Sequence, residues 1–236
     1  MKNSFGLTIT QENFPWHNED HYLASQKFPI YAVADGVTMS PLSEIAEPSA
    51  SKKAAVIFCR EAVKYLEKNY NLVSLKTLPS AFKVANKKIR ELNKNTDDPL
   101  TAVASLVAVK NNKIFAARLT DCGLTLIRNG KIIFKTPEFW SELKNKKGTA
   151  YGVIGKDDRQ LKFIDFWTLD YQSGDFLILF SDGFENHFSQ KNFLSVFKGN
   201  HLKEIADQIK SVDEKLILKN NEKYGSERTI LLTKLN

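Results

Sequence analysis

The stretch that decides the fold is Asp175-Phe176-Leu177-Ile178-Leu179-Phe180-Ser181-Asp182-Gly183. Five apolar residues in a row suit a short strand buried on both faces. The run stops abruptly in Ser-Asp-Gly. Taken alone, Asp-Gly is a turn dipeptide and marks a strand end. The chain does the same at Ile30-Tyr31-Ala32-Val33-Ala34-Asp35-Gly36. Two buried strands that each deliver a carboxylate and a glycine are placed for chemistry as well as for turning.

Working outward from these strands, residues 5 to 11 alternate weakly and suit a first strand. A polar loop, Asn13 to Asp20, precedes a second strand at His21 to Gln26. Pro48 opens a helix, as proline tolerates the first helical position. Ala50, Ala54, Ile57, Phe58, Ala62, Tyr65 and Leu66 carry its apolar stripe to Asn69-Tyr70. A second amphipathic helix is expected over Leu75 to Asn93, with Leu78, Phe82, Ala85, Ile89 and Leu92 on one face. After Asp97-Asp98-Pro99 the pattern changes to strands: Thr101 to Val109, Lys113 to Leu119, Gly123 to Ile127 and Lys131 to Phe134. Asn129-Gly130 between apolar runs is a strong hairpin signal, and the four strands read as an antiparallel meander. A short helix at Pro137 to Leu143 and a strand at Leu161 to Leu169 follow. Beyond Asp182 come helical stretches at Glu185 to Lys198, Leu202 to Ile209 and Lys215 to Lys223, then a last strand at Thr229 to Leu235. Strands cluster instead of alternating with helices, which excludes a parallel doubly wound sheet. Two antiparallel sheets with helices packed outside fit the order.

The 236 residues suffice for one large domain or two small ones. Hydrophobic residues make up 42% and charged residues 26%, which excludes a disordered chain. The net charge of +7 comes mostly from lysine. The lysines are dispersed, as at Lys52-Lys53, Lys87-Lys88 and Lys146-Lys147, with no arginine-rich block. A solvated surface is therefore expected, not a nucleic-acid interface. Cys59 and Cys122 are far apart and form no CxxC pattern, which fits free thiols in a reducing compartment. The N-terminus has no apolar signal region, and the longest uncharged run, Leu100 to Val109, is too short to span a bilayer. A soluble, cytoplasmic chain without membrane partners is expected.

Four acidic sites stand beside strand ends: Glu19-Asp20, Asp35, Asp121 and Asp182. Carboxylates that converge without matching cations repel, and one is forced neutral unless a divalent cation relieves the crowding. All-oxygen ligands suit Mg or Mn. Two such ions would generate a nucleophile and clamp a phosphate. The competing reading is that these aspartates are turns and caps. His17, His21, His187 and His201 lack zinc spacing and read as surface or loop residues.

Taken in order, Asn18-Glu19-Asp20, Val33-Ala34-Asp35-Gly36, Thr101-Ala102, Thr120-Asp121-Cys122-Gly123 and Ser181-Asp182-Gly183 resemble the motifs of the PP2C-type, metal-dependent serine/threonine protein phosphatases. The closing Glu227-Arg228-Thr229-Ile230-Leu231-Leu232 resembles that family's last strand. The resemblance covers essentially the whole chain, so residues 1–236 are expected to form a single domain. It implies an α+β fold, an α/β/β/α sandwich of two antiparallel sheets flanked by helices. It implies that Asp35 bridges two Mn or Mg ions, that Asp20 and Asp182 bind or orient through water, and that the Gly36 carbonyl is a ligand. It further implies that Glu19 holds a metal-bound water and that Asp121 helps bind a third, weaker ion. The implied reaction is attack of a water or hydroxide bridging the two ions on the phosphoserine or phosphothreonine of a phosphorylated protein. Asp35, Asp20 and Glu19 are then the catalytic set.

Three positions depart from the family pattern. Pro15 stands where an arginine usually grips the phosphate, and His17 is the candidate substitute. Ser226 stands where the last motif has a metal-binding aspartate, and Glu227 is the residue that could reach in. Val37-Thr38 replaces a glycine pair after Asp35-Gly36. The alternative function is a catalytically weak or inactive phosphoprotein-binding module. A direction of Glu227 toward the carboxylates favours the enzyme; a direction toward solvent favours the binding module. Cys122 reads as a buried small residue.

Overall fold

The computed structural model describes residues 4–10, 18–38, 48–138, 152–199, 201–224 and 227–236. Among them, ten strands form two five-stranded sheets. The first runs β1 (Ser4–Ile9), β10 (Arg228–Lys234), β9 (Phe176–Phe180), β6 (Gly123–Arg128) and β7 (Lys131–Lys135). The second runs β2 (His21–Ala24), β3 (Ile30–Gly36), β4 (Ala102–Lys110), β5 (Lys113–Leu119) and β8 (Ile164–Asp170). Every neighbouring pair is antiparallel. Helices α1 (Ala50–Lys68) and α2 (Leu78–Asn93) cover the outer face of the second sheet. Helices α3 (Lys191–Val196) and α4 (Leu202–Lys219) cover that of the first. The result is the four-layer sandwich expected from the sequence.

The two opening stretches behave as their patterns require. All five residues of β9 are buried. Leu177 and Leu179 point into the core between the sheets, while Phe176, Ile178 and Phe180 pack under α3 and α4. In β3, Ile30, Ala32 and Ala34 face α1 and α2, and Tyr31 and Val33 face the other sheet. A side-chain period of two sends successive residues into two different cores, which is why Phe176–Phe180 and Ile30–Ala34 carry no charged residue.

Several boundaries differ from the sequence reading. Pro48 precedes helix α1 instead of opening it. Ser49 is the cap, and its hydroxyl accepts the Lys52 amide at 3.0 Å. Helix α2 starts at Leu78 with Pro79 in its first turn, and Leu92 is exposed. The four central strands are not a meander. Asn111 and Asn112, and Asn129 and Gly130, have positive φ and close the hairpins β4–β5 and β6–β7. Residues 120–122 instead carry the chain from one sheet to the other. Thr120 takes φ +69° there, which is unusual for a β-branched residue, and its hydroxyl donates to the Gly152 carbonyl at 2.5 Å. After β9 the chain forms a 3-10 segment, Asp182–Ser189, before α3. Leu202–Lys219 is one continuous helix, followed by the short α5 (Asn221–Tyr224). The expected helix at Pro137 to Leu143 extends beyond the described residues. Among the described residues no helix is long and apolar enough to cross a membrane.

Candidate metal centre

Antiparallel pairing brings the acidic motifs to one end of the sandwich. Strand β3 ends at Gly36, opposite Ala102 at the start of β4. Strand β2 begins just after Asp20, and β5 ends just before Asp121. In the other sheet β9 ends beside Ser181-Asp182, and β10 begins just after Glu227. Gly36 packs so closely on α1 that an added Cβ would lie 2.5 Å from the Ser51 carbonyl carbon.

Short hydrogen bonds fix the cluster's back wall. Asn18 Oδ1 accepts the Asp20 amide at 3.0 Å and shapes the turn. Ser181 donates its hydroxyl to Asp20 Oδ2 at 2.7 Å and accepts the Thr229 amide at 2.8 Å. Thus one serine joins the second sheet's carboxylate to β10 of the first sheet. The two Glu19 oxygens accept the Ser49 and Thr38 hydroxyls, each at 2.5 Å. The Glu19 amide in turn donates to Glu227 Oε2 at 2.5 Å. Glu227 is therefore directed into the cluster, on the side that the sequence reading associates with an enzyme.

Electrostatics measures the crowding. Burial pushes the Asp20 carboxyl up to about 7; the Ser181 hydroxyl offsets part of this, and the Asp182 charge adds to it. Asp35 is raised well above the carboxylate range, first by burial and then by Asp20, Asp182, Asp121 and Glu227. Asp121 rises to about 7 through burial and the charge of Asp182. Glu227 rises to about 8 through burial and the charge of Asp20. Asp182 is more exposed, yet desolvation and Glu185 raise its carboxyl too. Five carboxylates thus oppose one another's ionisation around Asp35. Among the described residues, Asp20 Oδ1 and Asp121 Oδ1 are buried without a hydrogen-bond partner.

Two cations stand near, which the sequence reading missed. The Lys52 ammonium donates to the Asp20 carbonyl, and its charge holds the Asp20 carboxyl down. Arg118 lowers Asp121 but spends its guanidinium on the Pro137 carbonyl at 2.6 Å and on Asp165 at 2.8 Å. No local motif announces Lys52. It follows from the Ser49 cap, which sets the phase of α1. His17, Pro15 and Ser226 lie outside the described residues. His187 corrects the surface reading: it is fully buried, with Nε2 2.9 Å from Asp213 Oδ1, and Asp213 also takes two bonds from the buried Arg228. Cys59 and Cys122 are free and Cys122 is buried, as expected; Cys59 is buried as well.

The donor set fits hard divalent cations. It is all oxygen, it includes two orphaned buried carboxylate oxygens, and a positive charge at its centre would relieve the mutual repulsion. Among the described residues no three His, Cys, Asp or Glu side chains are arranged to hold an ion by themselves. Ions that keep several waters and take one or two carboxylates do not need such a group.

Comparison with solved structures gives the fold relatives. The serine/threonine phosphatase PstP/Ppp of Mycobacterium tuberculosis superposes with a TM-score of 0.74 at 15% identity, covering 99% of this chain and 98% of that one. The PPM Ser-Thr phosphatase MsPP of Mycobacterium smegmatis, in complex with cacodylate, gives 0.69 at 17% identity, with 99% and 98% covered. The catalytic domain of PstP in complex with two manganese ions gives 0.69 at 17% identity, again with 99% and 98% covered. Direct comparison with curated protein sequences finds no match. The family profile described as Protein phosphatase 2C matches residues 16–217. On that match, and with the sandwich and its carboxylate end in agreement, the chain belongs to the protein phosphatase 2C family.

Proposed function

We propose that this chain is a metal-dependent protein serine/threonine phosphatase of the cytoplasm, with one phosphatase domain spanning residues 1–236. The observation that carries the reading is that strand ends of both sheets bring Asp20, Asp35, Asp121, Asp182 and Glu227 to one end of the sandwich, where Ser181 ties Asp20 to β10 and Glu227 accepts the Glu19 amide. Asp20, Asp35, Asp182, Glu227 and the Gly36 carbonyl would hold two Mn or Mg ions, with Asp121 at a third, weaker position. Bound there, the ions would supply a nucleophile at neutral pH and offset the charge of the transferred phosphoryl group.

The protein groups around that centre divide the work. Asp35 is central because four other carboxylates act on it. Ser181, itself fixed by the Thr229 amide, holds Asp20 Oδ2, and Oδ1 has no hydrogen-bond partner among the described residues. Glu19 has both oxygens engaged by hydroxyls, and its remaining lone pairs are suited to orienting a water. The inward direction of Glu227 supports the catalytic reading over a phosphoprotein-binding module.

The test is hydrolysis of p-nitrophenyl phosphate and of a phosphothreonine peptide with added MnCl2. Turnover should be abolished by EDTA and by Asp35→Asn or Asp182→Asn, with circular dichroism unchanged. Wild-type rates in either variant, or no turnover at millimolar Mn, would overturn the proposal.

A further inference from the structure

Three lysines and an arginine on α2 and its C-terminal cap meet a fourth lysine from a neighbouring loop. Lys83, Lys87, Arg90 and Lys94 follow one another at spacings of four, three and four, so they share one face of α2 and its C-terminal cap. With Lys156 they line a surface cavity of about 560 Å³, together with Glu91, Asn93, Gly155, Asp157 and Asp158. The acidic groups there are largely engaged. Asp158 accepts from Asn86 at 2.9 Å and Arg90 at 3.2 Å, and Asp157 caps and pairs with Arg159. Lys83, Lys87, Lys94 and Lys156 are exposed and form no ion pair among the described residues. Like charges at i, i+4 disfavour a helix. The helix dipole rewards Arg90 and Lys94 near the C-terminus but not Lys83 and Lys87. Five cations against Glu91, Asp157 and Asp158 leave the cavity wall with a net positive charge, and Arg90 is the cation of the stripe that is paired, with Asp158.

Its location is specific. Helix α2 leads into β4, whose first residue, Ala102, lies opposite Gly36. On its other side Ala102 exchanges both backbone hydrogen bonds with Ile154, the residue before Gly155 of the cavity wall. Two strand spacings of about 5 Å each put Ile154 about 10 Å from Gly36. From there the stripe, eleven residues of helix, extends about 16 Å away from the carboxylate end.

We infer that this basic stripe docks an acidic stretch of the phosphorylated protein substrate. The inference rests on the phosphatase reading of the neighbouring centre. At about 3.3 Å per extended residue, the acidic side chains would lie about three to eight positions from the phosphoresidue.

The test uses the full chain and the triple charge reversal Lys83→Glu/Lys87→Glu/Lys94→Glu. These residues are exposed and none belongs to the carboxylate centre. With Mn present, kcat and KM are measured on p-nitrophenyl phosphate and on phosphothreonine peptides that are neutral or carry four glutamates about three to eight residues away, on either side. The wild type should show a KM roughly five- to tenfold lower for an acidic peptide than for the neutral one. That advantage should vanish in the variant and at 0.5 M NaCl, where screening is short-ranged. Turnover of p-nitrophenyl phosphate should be the same in both proteins. Equal KM values for acidic and neutral peptides, or an advantage that survives the charge reversal, overturns the inference. If no substrate is hydrolysed, the phosphatase reading fails on its own. Fluorescence anisotropy with the labelled glutamate peptide then still decides: binding lost on charge reversal supports the docking surface, and no binding refutes it. Charge-reversal-sensitive binding of single-stranded RNA in preference to the acidic peptide also refutes it.

Discussion

Raising the pH from about 5 to about 8 should destabilise the metal-free protein, and Asp20→Asn should remove part of that loss. Asp20 has an ordinary pKa of 3.8 in the unfolded chain and about 7 in the fold. Below pH 4 both states carry the proton. Between about 4 and 7 only the folded state does, so stability falls as pH rises through this window. At 1.36 kcal/mol per pH unit, Asp20 alone accounts for at most about 4 kcal/mol, and the other carboxylates share rather than multiply that repulsion. For a chain of this size, about 4 kcal/mol corresponds to a Tm change of about 10 °C. Asparagine keeps an acceptor for the Ser181 hydroxyl and cannot ionise. The assay is thermal unfolding by circular dichroism in EDTA at several pH values. The wild type should lose several degrees between pH 5 and pH 8. The variant should lose less and be the more stable of the two at pH 8. Excess MnCl2 should reverse the wild-type loss, because a ligand that binds only the folded state adds stability. A wild-type Tm in EDTA that is flat or rises over this range would refute the reasoning.

Gly36→Ala should cost about 1–3 kcal/mol in denaturant unfolding and weaken Mn binding, because the new methyl meets the Ser51 main chain at 2.5 Å. Unchanged stability would show that α1 can retreat freely. Asp213→Ala removes the buried carboxylate that Arg228 and His187 share, so urea unfolding should report a loss of about 3–5 kcal/mol. A loss below about 1 kcal/mol would contradict the buried network. Cys59 and Cys122 are buried and burial pushes both thiols up, so a colorimetric disulfide reagent should react with neither until denaturant is added.

The layers of the fold were legible because β3 and β9 carry unbroken apolar runs, and only a strand between two cores needs them. Asn129-Gly130 fixed a hairpin because both its residues take positive φ. The transfer between sheets at residues 120–122 was not legible. It depends on Thr120 in a strained conformation and on Gly123 lying against the Phe180 ring. The carboxylates were visible one by one as strand-end aspartates, but their convergence is a property of register. Lys52, Ser181 and Ser49 were invisible as site residues because a lysine or serine in sequence has no direction until its helix or strand has a phase. His187 misled for the same reason. It pairs with Asp213, 26 residues further on, which in turn accepts from Arg228, another 15 residues away, beyond any local pattern.

The most direct test of the central claim is calorimetric titration of the chelator-stripped protein with MnCl2 at pH 8, with Asp35→Asn as the control. The wild type should bind about two ions in its tighter phase, and loss of the Asp35 charge should abolish at least one of them. No heat of Mn binding in the wild type, or the same stoichiometry and affinity in the variant, would contradict the assignment of this carboxylate cluster as a metal centre.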